Sequence, residues 1–380
     1  QMNKRVKIVL WIFVALLLTQ CSQPSSNSKS TTFISPKDSN FIYVGRIDFT
    51  HPQSLRFAYS GTSIRFRFEG SVCILHLKNK SLAKDSEGNF LKNYYTVIVD
   101  RGKPQLITVS NEDEKVKLKK MGKGIHDVLI FKRTEAMVGE GIFEGIEIEK
   151  DKKMLPVVDT KIRKIEFIGN SITCGYGNEG ASKDCHFSPE TENGYLAYGA
   201  ITARKLNADY LAVAYSGKGI YRNFDGSMSN TLSLLYDRIF PDSAQSPKWN
   251  YKKWQPNVVV LNLGTNDFAK GLPDSVIFVN TYVNFLKRLR SYYPEAHILC
   301  TEGPMSNDLY PANLNAFTKV KNYIIASKNK MSLIGEKKVS TFFPTPQEAS
   351  DYGCDYHPNL KRHEKMAEEF TKEIKTIMKW

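Results

Sequence analysis

The sequence has no Cys-x-x-Cys pair and no His-Glu-x-x-His, so no spacing in it points to a metal site. It has no Gly-x-Ser-x-Gly, which counts against the nucleophile elbow of the α/β-hydrolases. The apolar run Ile8 to Leu18 is too short to span a bilayer comfortably, which takes about 20 residues. No nucleic-acid motif accompanies the formal net charge of +14, and apart from Lys115 to Lys123 the basic residues are spread along the chain. A basic surface of that kind is read as a solvated one, with attraction to acidic glycans or lipid headgroups as the weaker alternative. What remains is an ordinary globular composition, 41% hydrophobic and 24% charged, in a chain of 380 residues. That length exceeds the usual size of one domain, so two are expected.

Lys4, Arg5 and Lys7 precede the apolar run, and Leu18-Thr19-Gln20-Cys21 closes it. The order resembles a bacterial lipoprotein signal over residues 1–21, in which Cys21 becomes the lipidated first residue of the mature chain. An uncleaved anchor helix or a chance cysteine is the alternative. Residues 22–40 are Ser-, Asn-, Gln- and Lys-rich, the composition of a flexible tether. With Cys21 used for lipid, Cys73, Cys174, Cys185, Cys300 and Cys354 remain, an odd number. At least one should be free or pair outside the chain. Cys174 and Cys185 flank a short loop, and an oxidising compartment would let them join; that bridge is favoured over two buried thiols.

Residues 41–150 read as β-structure with no convincing helical periodicity. Ile64, Phe66 and Phe68 alternate with Arg65, Arg67 and Glu69, the period of a strand with one wet face. Val72 to Leu77, Tyr94 to Val99, Asp127 to Phe131 and Ile142 to Ile148 read the same way, with turn signals between them. Short strands at regular spacing predict a β-sandwich, jelly-roll-like, with a role in binding, packing or spacing. Residues 151–161 form a charged, Pro-containing linker. From 162 to 380 apolar strand-like runs alternate with helical ones, which predicts an α/β/α layer structure on a parallel sheet. Helices are expected over Tyr195 to Leu206, Thr231 to Phe240, Ser275 to Tyr292, Asn313 to Ala326 and Leu360 to Lys379. In such sheets the ligand crevice lies beyond the carboxyl ends of the strands. Ser171, Ser216-Gly217 and Gly264 to Asn266 each follow a strand directly.

Those residues have the chemistry of acyl transfer. A serine hydroxyl is a poor nucleophile near neutral pH and needs a base within hydrogen-bond reach. His357 is the candidate, taking the proton and returning it to the leaving alcohol. The backbone N–H of Ser171, the N–H of Gly217 and the side-chain amide of Asn266 are the candidate oxyanion donors, each typically worth ~10²–10³ in rate. Each segment alone has a plainer reading. Ser171 could cap a helix, Asn266-Asp267 could be a turn, and His357-Pro358 could start a helix. Tyr176, Phe187, Trp249 and Trp254 could line a sugar-stacking cleft, although core or loop anchoring is the more common role for such rings.

The four segments in order resemble the SGNH (GDSL-like) hydrolase superfamily. Gly169-Asn170-Ser171-Ile172 matches the first block, with Asn170 where many members have Asp. Ser216-Gly217 matches the second, Gly264-Thr265-Asn266-Asp267 the third, and His357 the last. With a β-sandwich ahead of it the chain is most similar to the carbohydrate esterase family 2 acetyl esterases. Thr173-Cys174-Gly175-Tyr176-Gly177 and Gly353-Cys354-Asp355-Tyr356-His357-Pro358 carry that narrower match. The superfamily usually has Asp three residues before the histidine, where this chain has Cys354; Asp355 lies two before. The family implies that Asp355 orients His357 through its main-chain carbonyl, giving a Ser–His dyad, or through its side chain.

The resemblance implies an exported serine esterase that removes acetyl groups from xylan- or glucomannan-type polysaccharide, with no cofactor and no metal. The expected partners are an acetylated polysaccharide or oligosaccharide and a membrane reached through the lipid anchor, with no nucleic acid. A monomer at the periplasmic or outer cell surface is expected. The alternatives are an esterase for other acyl groups and a non-catalytic glycan-binding lipoprotein.

Overall fold

The computed structural model describes residues 30–119, 121–158, 161–309 and 312–380. The expected signal and its Cys21 lie outside the described residues. Two six-stranded antiparallel sheets come first. One runs Ile47–Asp48, Leu55–Phe57, Glu140–Glu149, Cys73–Lys80, Lys115–Lys117, with Thr31–Ile34 also paired to Glu140–Glu149. The other runs Met154–Leu155, Ser63–Gly70, Gly124–Lys132, Asn93–Val99, Gln105–Val109, with Ile42–Val44 also paired to Ser63–Gly70. Their inward side chains, Phe66, Phe68, Leu75, Leu77, Val97 and Ile146 among them, form one core. The alternation seen in Ser63–Gly70 is realised as buried and partly exposed faces of a single strand.

Two expected boundaries move. Part of the segment expected to be a tether, Thr31–Ile34, is a strand, because Thr31 faces Glu149 and Ile34 faces Ile146 across a sheet edge that would otherwise stand open. Part of the expected linker, Met154–Leu155, pairs with Phe68 and Arg67 in the same way.

The second domain is built on five parallel strands in the order Ala208–Ala214, Arg163–Gly169, Val258–Asn262, His297–Thr301, Val339–Thr341. Successive strand residues point to opposite faces, and both faces are dry. Ile165, Phe167, Val258, Val260 and Leu299 join Tyr198, Met366 and Phe370 of the helices Tyr198–Lys205 and Leu360–Met378. Ile168, Val259, Leu261, Ile298 and Cys300 join Phe278, Tyr282, Val320 and Ile324 of the helices Ser275–Tyr292 and Ala316–Leu333. Burial on both faces explains why these strands are continuous apolar runs instead of alternating ones. The helix expected over Thr231 to Phe240 is only one turn, Leu232–Leu235, followed by chain that wraps the sandwich contact.

The two domains share a buried seam. Arg46, from the sandwich, is fully enclosed and its Nη2 lies 3.2 Å from Glu166 Oε1 in the strand Arg163–Gly169. Its guanidinium sits 4.4 Å from the Tyr236 ring centroid. Arg65 meets Asp209 at 2.8 Å, and the Phe131 ring stacks on Tyr210.

Candidate active site

Ser171 opens a single helical turn, Ser171–Cys174, directly after the strand Arg163–Gly169. The Asn170 side chain caps that turn by accepting from the Ile172 N–H at 3.1 Å. Gly175, left-handed at φ 83°, ends it. Ser171 is therefore held where the strand stops and the chain reverses, at the carboxyl edge of the sheet.

His357 comes from the opposite end of the domain sequence. Its Nε2 lies 2.8 Å from Ser171 Oγ, and its Nδ1 lies 3.2 Å from the carbonyl oxygen of Cys354. A carbonyl only accepts, so Nδ1 carries the ring hydrogen and Nε2 presents a lone pair to the serine hydroxyl. The Tyr176 ring lies over the imidazole with centroids 4.0 Å apart. Burial lowers the His357 pKa to about 4, against the opposing pull of the Cys354 carbonyl and the Asp355 charge.

The carbonyl at hydrogen-bond distance from Nδ1 is that of Cys354, the Asp355 main chain also bonds toward the ring, and the Asp355 carboxylate points elsewhere. It accepts from Tyr176 OH at 2.7 Å and meets His186 Nδ1 at 2.8 Å. Asp355 and Tyr356 both adopt left-handed backbone, at φ 50° and 62°, and this reversal aims the Cys354 carbonyl back at the imidazole. Burial raises the Asp355 pKa, but the hydrogen bonds from Tyr176 and His186 outweigh it and hold the carboxyl below its ordinary value.

Gly217 and Asn266 close the opposite wall. Neither the Ser171 N–H nor the Gly217 N–H is taken up by a backbone acceptor among the described residues. Gly217 is left-handed at φ 76°, and a Cβ there would stand 3.9 Å from its nearest neighbour, so the glycine serves the backbone conformation and not a tight contact. Asn266 Nδ2 donates to the Lys218 carbonyl at 2.9 Å, which fixes the amide and leaves its second hydrogen for a ligand. Asp267, fully buried, accepts from the N–H groups of Ile220, Tyr221 and Arg222 and ties the Gly217 loop to the Asn266 turn. Ser171, Gly217, Asn266 and His357 line one cavity of about 760 Å³ with Tyr176, Phe224 and Lys270.

Two expectations fail here. Cys174 does not pair with Cys185; the disulfide joins Cys185 to Cys354, and Cys174 is a buried free thiol. The helical turn points Cys174 inward toward Glu135 and Glu192, whereas Cys354 is drawn to this loop by its N–H bond to the Gly177 carbonyl. Any side chain at Gly177 would collide with Cys354 Cβ at 2.5 Å. Trp249 and Trp254 are not at the cavity. Both are buried, Trp249 near Arg46 and Trp254 near Lys164, at the amino end of the strand Arg163–Gly169. Tyr176 does line the cavity, and the Phe187 ring lies behind it with centroids 5.0 Å apart.

One cluster has no counterpart in the sequence reading. Glu135, Cys174 and Glu192 are buried with their ligand-type atoms within 4.8 Å of one another, and Lys132 is enclosed beside them. Glu135 lies just past the end of a sandwich strand, where nothing in its neighbours marks it as different from any strand-end glutamate.

A nucleophile–base pair beyond the carboxyl ends of a parallel sheet, behind an antiparallel sandwich, can be compared with known proteins. The Carbohydrate esterase 2 N-terminal family model matches residues 43–157, and the GDSL-like Lipase/Acylhydrolase family model matches 167–365. A solved family two carbohydrate esterase from Clostridium thermocellum, in complex with cellohexaose, superposes with a TM-score of 0.81 at 36% identity, covering 90% of this chain and 99% of that one. The chain belongs to carbohydrate esterase family 2. A second family two carbohydrate esterase structure, from Cellvibrio japonicus, has a TM-score of 0.80 at 27% identity over 93% of this chain and 99% of that one. Among curated relatives, Cellulase/esterase CelE of Acetivibrio thermocellus is 37% identical over 89% of this family 2 chain. The chain spans 40% of that relative's length. The Acetylxylan esterase / glucomannan deacetylase of Cellvibrio japonicus is 28% identical, with 98% of each chain covered.

Proposed function

We propose that the chain is an exported, lipid-anchored carbohydrate acetyl esterase acting on xylan- or glucomannan-type polysaccharide through a Ser–His acyl-enzyme. The observation that carries the chemistry is the 2.8 Å contact of Ser171 Oγ with the unprotonated Nε2 of His357. Ser171 Oγ attacks the acetyl carbonyl while its proton passes to Nε2. The carbonyl oxygen becomes an oxyanion beside the Ser171 and Gly217 amides and the Asn266 side chain. Collapse breaks the bond to the sugar oxygen, which takes the proton from Nε2. Water then attacks the acetyl-serine, its proton passing to His357, and acetate leaves as Ser171 regains a hydrogen. The Cys354 carbonyl keeps the Nδ1–H tautomer and stabilises the imidazolium in each half-reaction.

The substrate class is supported by the names of the relatives and by the cellohexaose held by the Clostridium thermocellum esterase. Export is supported by the Cys185–Cys354 disulfide, since such bonds persist in oxidising compartments. The test is hydrolysis of an aryl acetate and of acetylated xylan and glucomannan by purified protein. Ser171→Ala should lower kcat by ~10⁴-fold or more while preserving the melting temperature. Wild-type protein inert toward every short-chain ester would sink the reading, and a preference for longer acyl chains would replace acetyl as the transferred acyl group.

A further inference from the structure

We propose that Glu135, contributed by the β-sandwich, is a positioning residue for the oxyanion site, holding Ser216 so that the Gly217 N–H is aimed at the reacting carbonyl. The proposal rests on the esterase reading above. It assigns the first domain a share in the chemistry of the second.

The geometry is specific. Glu135 Oε2 accepts the backbone N–H of Ser216 at 2.8 Å, and Oε1 accepts the Ser216 hydroxyl. One carboxylate therefore takes both donors of the residue immediately before Gly217. On the far side, the Gly217 carbonyl accepts from the Phe224 N–H at 2.8 Å, and the Lys218 N–H reaches the Tyr215 carbonyl at 3.3 Å. The peptide carrying the Gly217 N–H is pinned between these anchors. Releasing Glu135 would leave its direction to the left-handed glycine, which samples backbone conformations freely.

Glu135 is itself rigidly held. Its backbone N–H donates to Glu192 Oε2 at 2.9 Å, and its carbonyl accepts from Lys132 Nζ at 3.2 Å. Lys132 also donates to the Thr134 carbonyl at 2.7 Å, and the neighbouring Arg133 carbonyl accepts from the Gly194 N–H at 3.0 Å. All of Lys132, Glu135, Cys174 and Glu192 are enclosed. Two carboxylates in one dry pocket disfavour each other's ionisation, and Lys132 beside them pulls Glu192 the other way. Burial raises both, and Glu192 is driven well above its ordinary value by burial and by the charge of Glu135, whereas the two Ser216 bonds favour the ionised form of Glu135. A charged acceptor grips an N–H and an O–H about twice as strongly as a neutral one.

The test compares Glu135→Gln, Glu135→Ala and Ser216→Ala with wild-type protein on an aryl acetate, with rates expressed per fluorophosphonate-labelled serine. One oxyanion donor is worth ~10²–10³ in rate, so misdirecting the Gly217 N–H should lower kcat by about 10–100-fold in both Glu135 variants. KM should stay within about threefold, because the loss falls on the transition state. Ser216→Ala removes one of the two donors and should give a smaller drop in the same direction. If Glu135→Ala does not fold, the nearly isosteric Glu135→Gln and Ser216→Ala decide. Wild-type kcat per labelled site in Glu135→Gln, or a loss confined to the labelled fraction or to KM, would overturn the proposal while leaving the esterase reading in place. An inactive wild type would remove both.

Discussion

The imidazole of His357 works under the ring of Tyr176 with its Nδ1–H committed to a backbone carbonyl. Burial holds its pKa at about 4. A base is useful only unprotonated, and a lowered pKa keeps it so to a lower pH. Activity should accordingly stay level through neutral and mildly acidic pH and fall only as the pH drops through about 4. A kcat/KM profile whose acid limb falls near the ordinary histidine value, ~6.5, would show that the free enzyme does not bury the ring in this way. Asp355 enters the same prediction. Its side chain serves Tyr176 and His186 and does not reach the imidazole nitrogens, so Asp355→Ala should keep kcat within about tenfold of wild type, against ~10⁴-fold or more for His357→Ala. Matching losses in the two variants would mean that the carboxylate acts on the imidazole directly.

At the scale of an element, the segment Gly353 to His357 is a tight reversal anchored from two sides. Its backbone is bonded to Gly177 through the Cys354 N–H, and its Cys354 sulfur is bonded to Cys185 across 169 residues of sequence. The disulfide therefore fixes the carbonyl that sets the histidine tautomer. Cys185→Ser should lower stability by ~2–4 kcal/mol, the usual contribution of a native disulfide. It should also lower kcat with little change in KM, and reductant should have the same effect on wild type. Thermal melts and kinetics with and without dithiothreitol check this; indifference in both would leave the bond without a role in the site. The three other cysteines among the described residues are buried thiols and cannot replace the lost partner without repacking.

For the whole molecule, the seam between sandwich and α/β domain is more than contact. Arg46 and Glu166 are both fully enclosed, and the Tyr236 hydroxyl donates to the same Glu166 oxygen at 2.9 Å. Burial raises the Glu166 pKa while Arg46 opposes that rise. Removing the guanidinium strands a carboxyl in a dry seam, so Arg46→Ala should cost ~3–5 kcal/mol in urea denaturation. A change below about 1 kcal/mol would mean that water reaches Glu166 when Arg46 is gone. The same seam carries Glu135 to Ser216, so stability and activity depend on one interface.

The residues that announced themselves in the chain were those whose role is local. Ser171, Gly217 and Asn266 each follow an apolar strand, and strand-then-turn is visible as a run of Val, Ile and Leu broken by Gly or Asn. The parallel sheet could be read for the same reason, since burial on both faces leaves no polar alternation. His357 was found through motif order. Pairings between distant segments were not legible. Cys174 and Cys185 are neighbours in sequence, but a helical turn sends one inward, and a left-handed reversal brings Cys354 to the other. Trp249 and Trp254 have the composition of a sugar platform, yet the chain buries both away from the cavity. Sequence by itself determined which groups could do acyl transfer, because reactivity belongs to side-chain type and local backbone. Only the tertiary structure decided which carbonyl orients the histidine, which sulfurs join and which sandwich glutamate reaches the oxyanion loop, because those choices follow from distances that chain reversal and domain docking create.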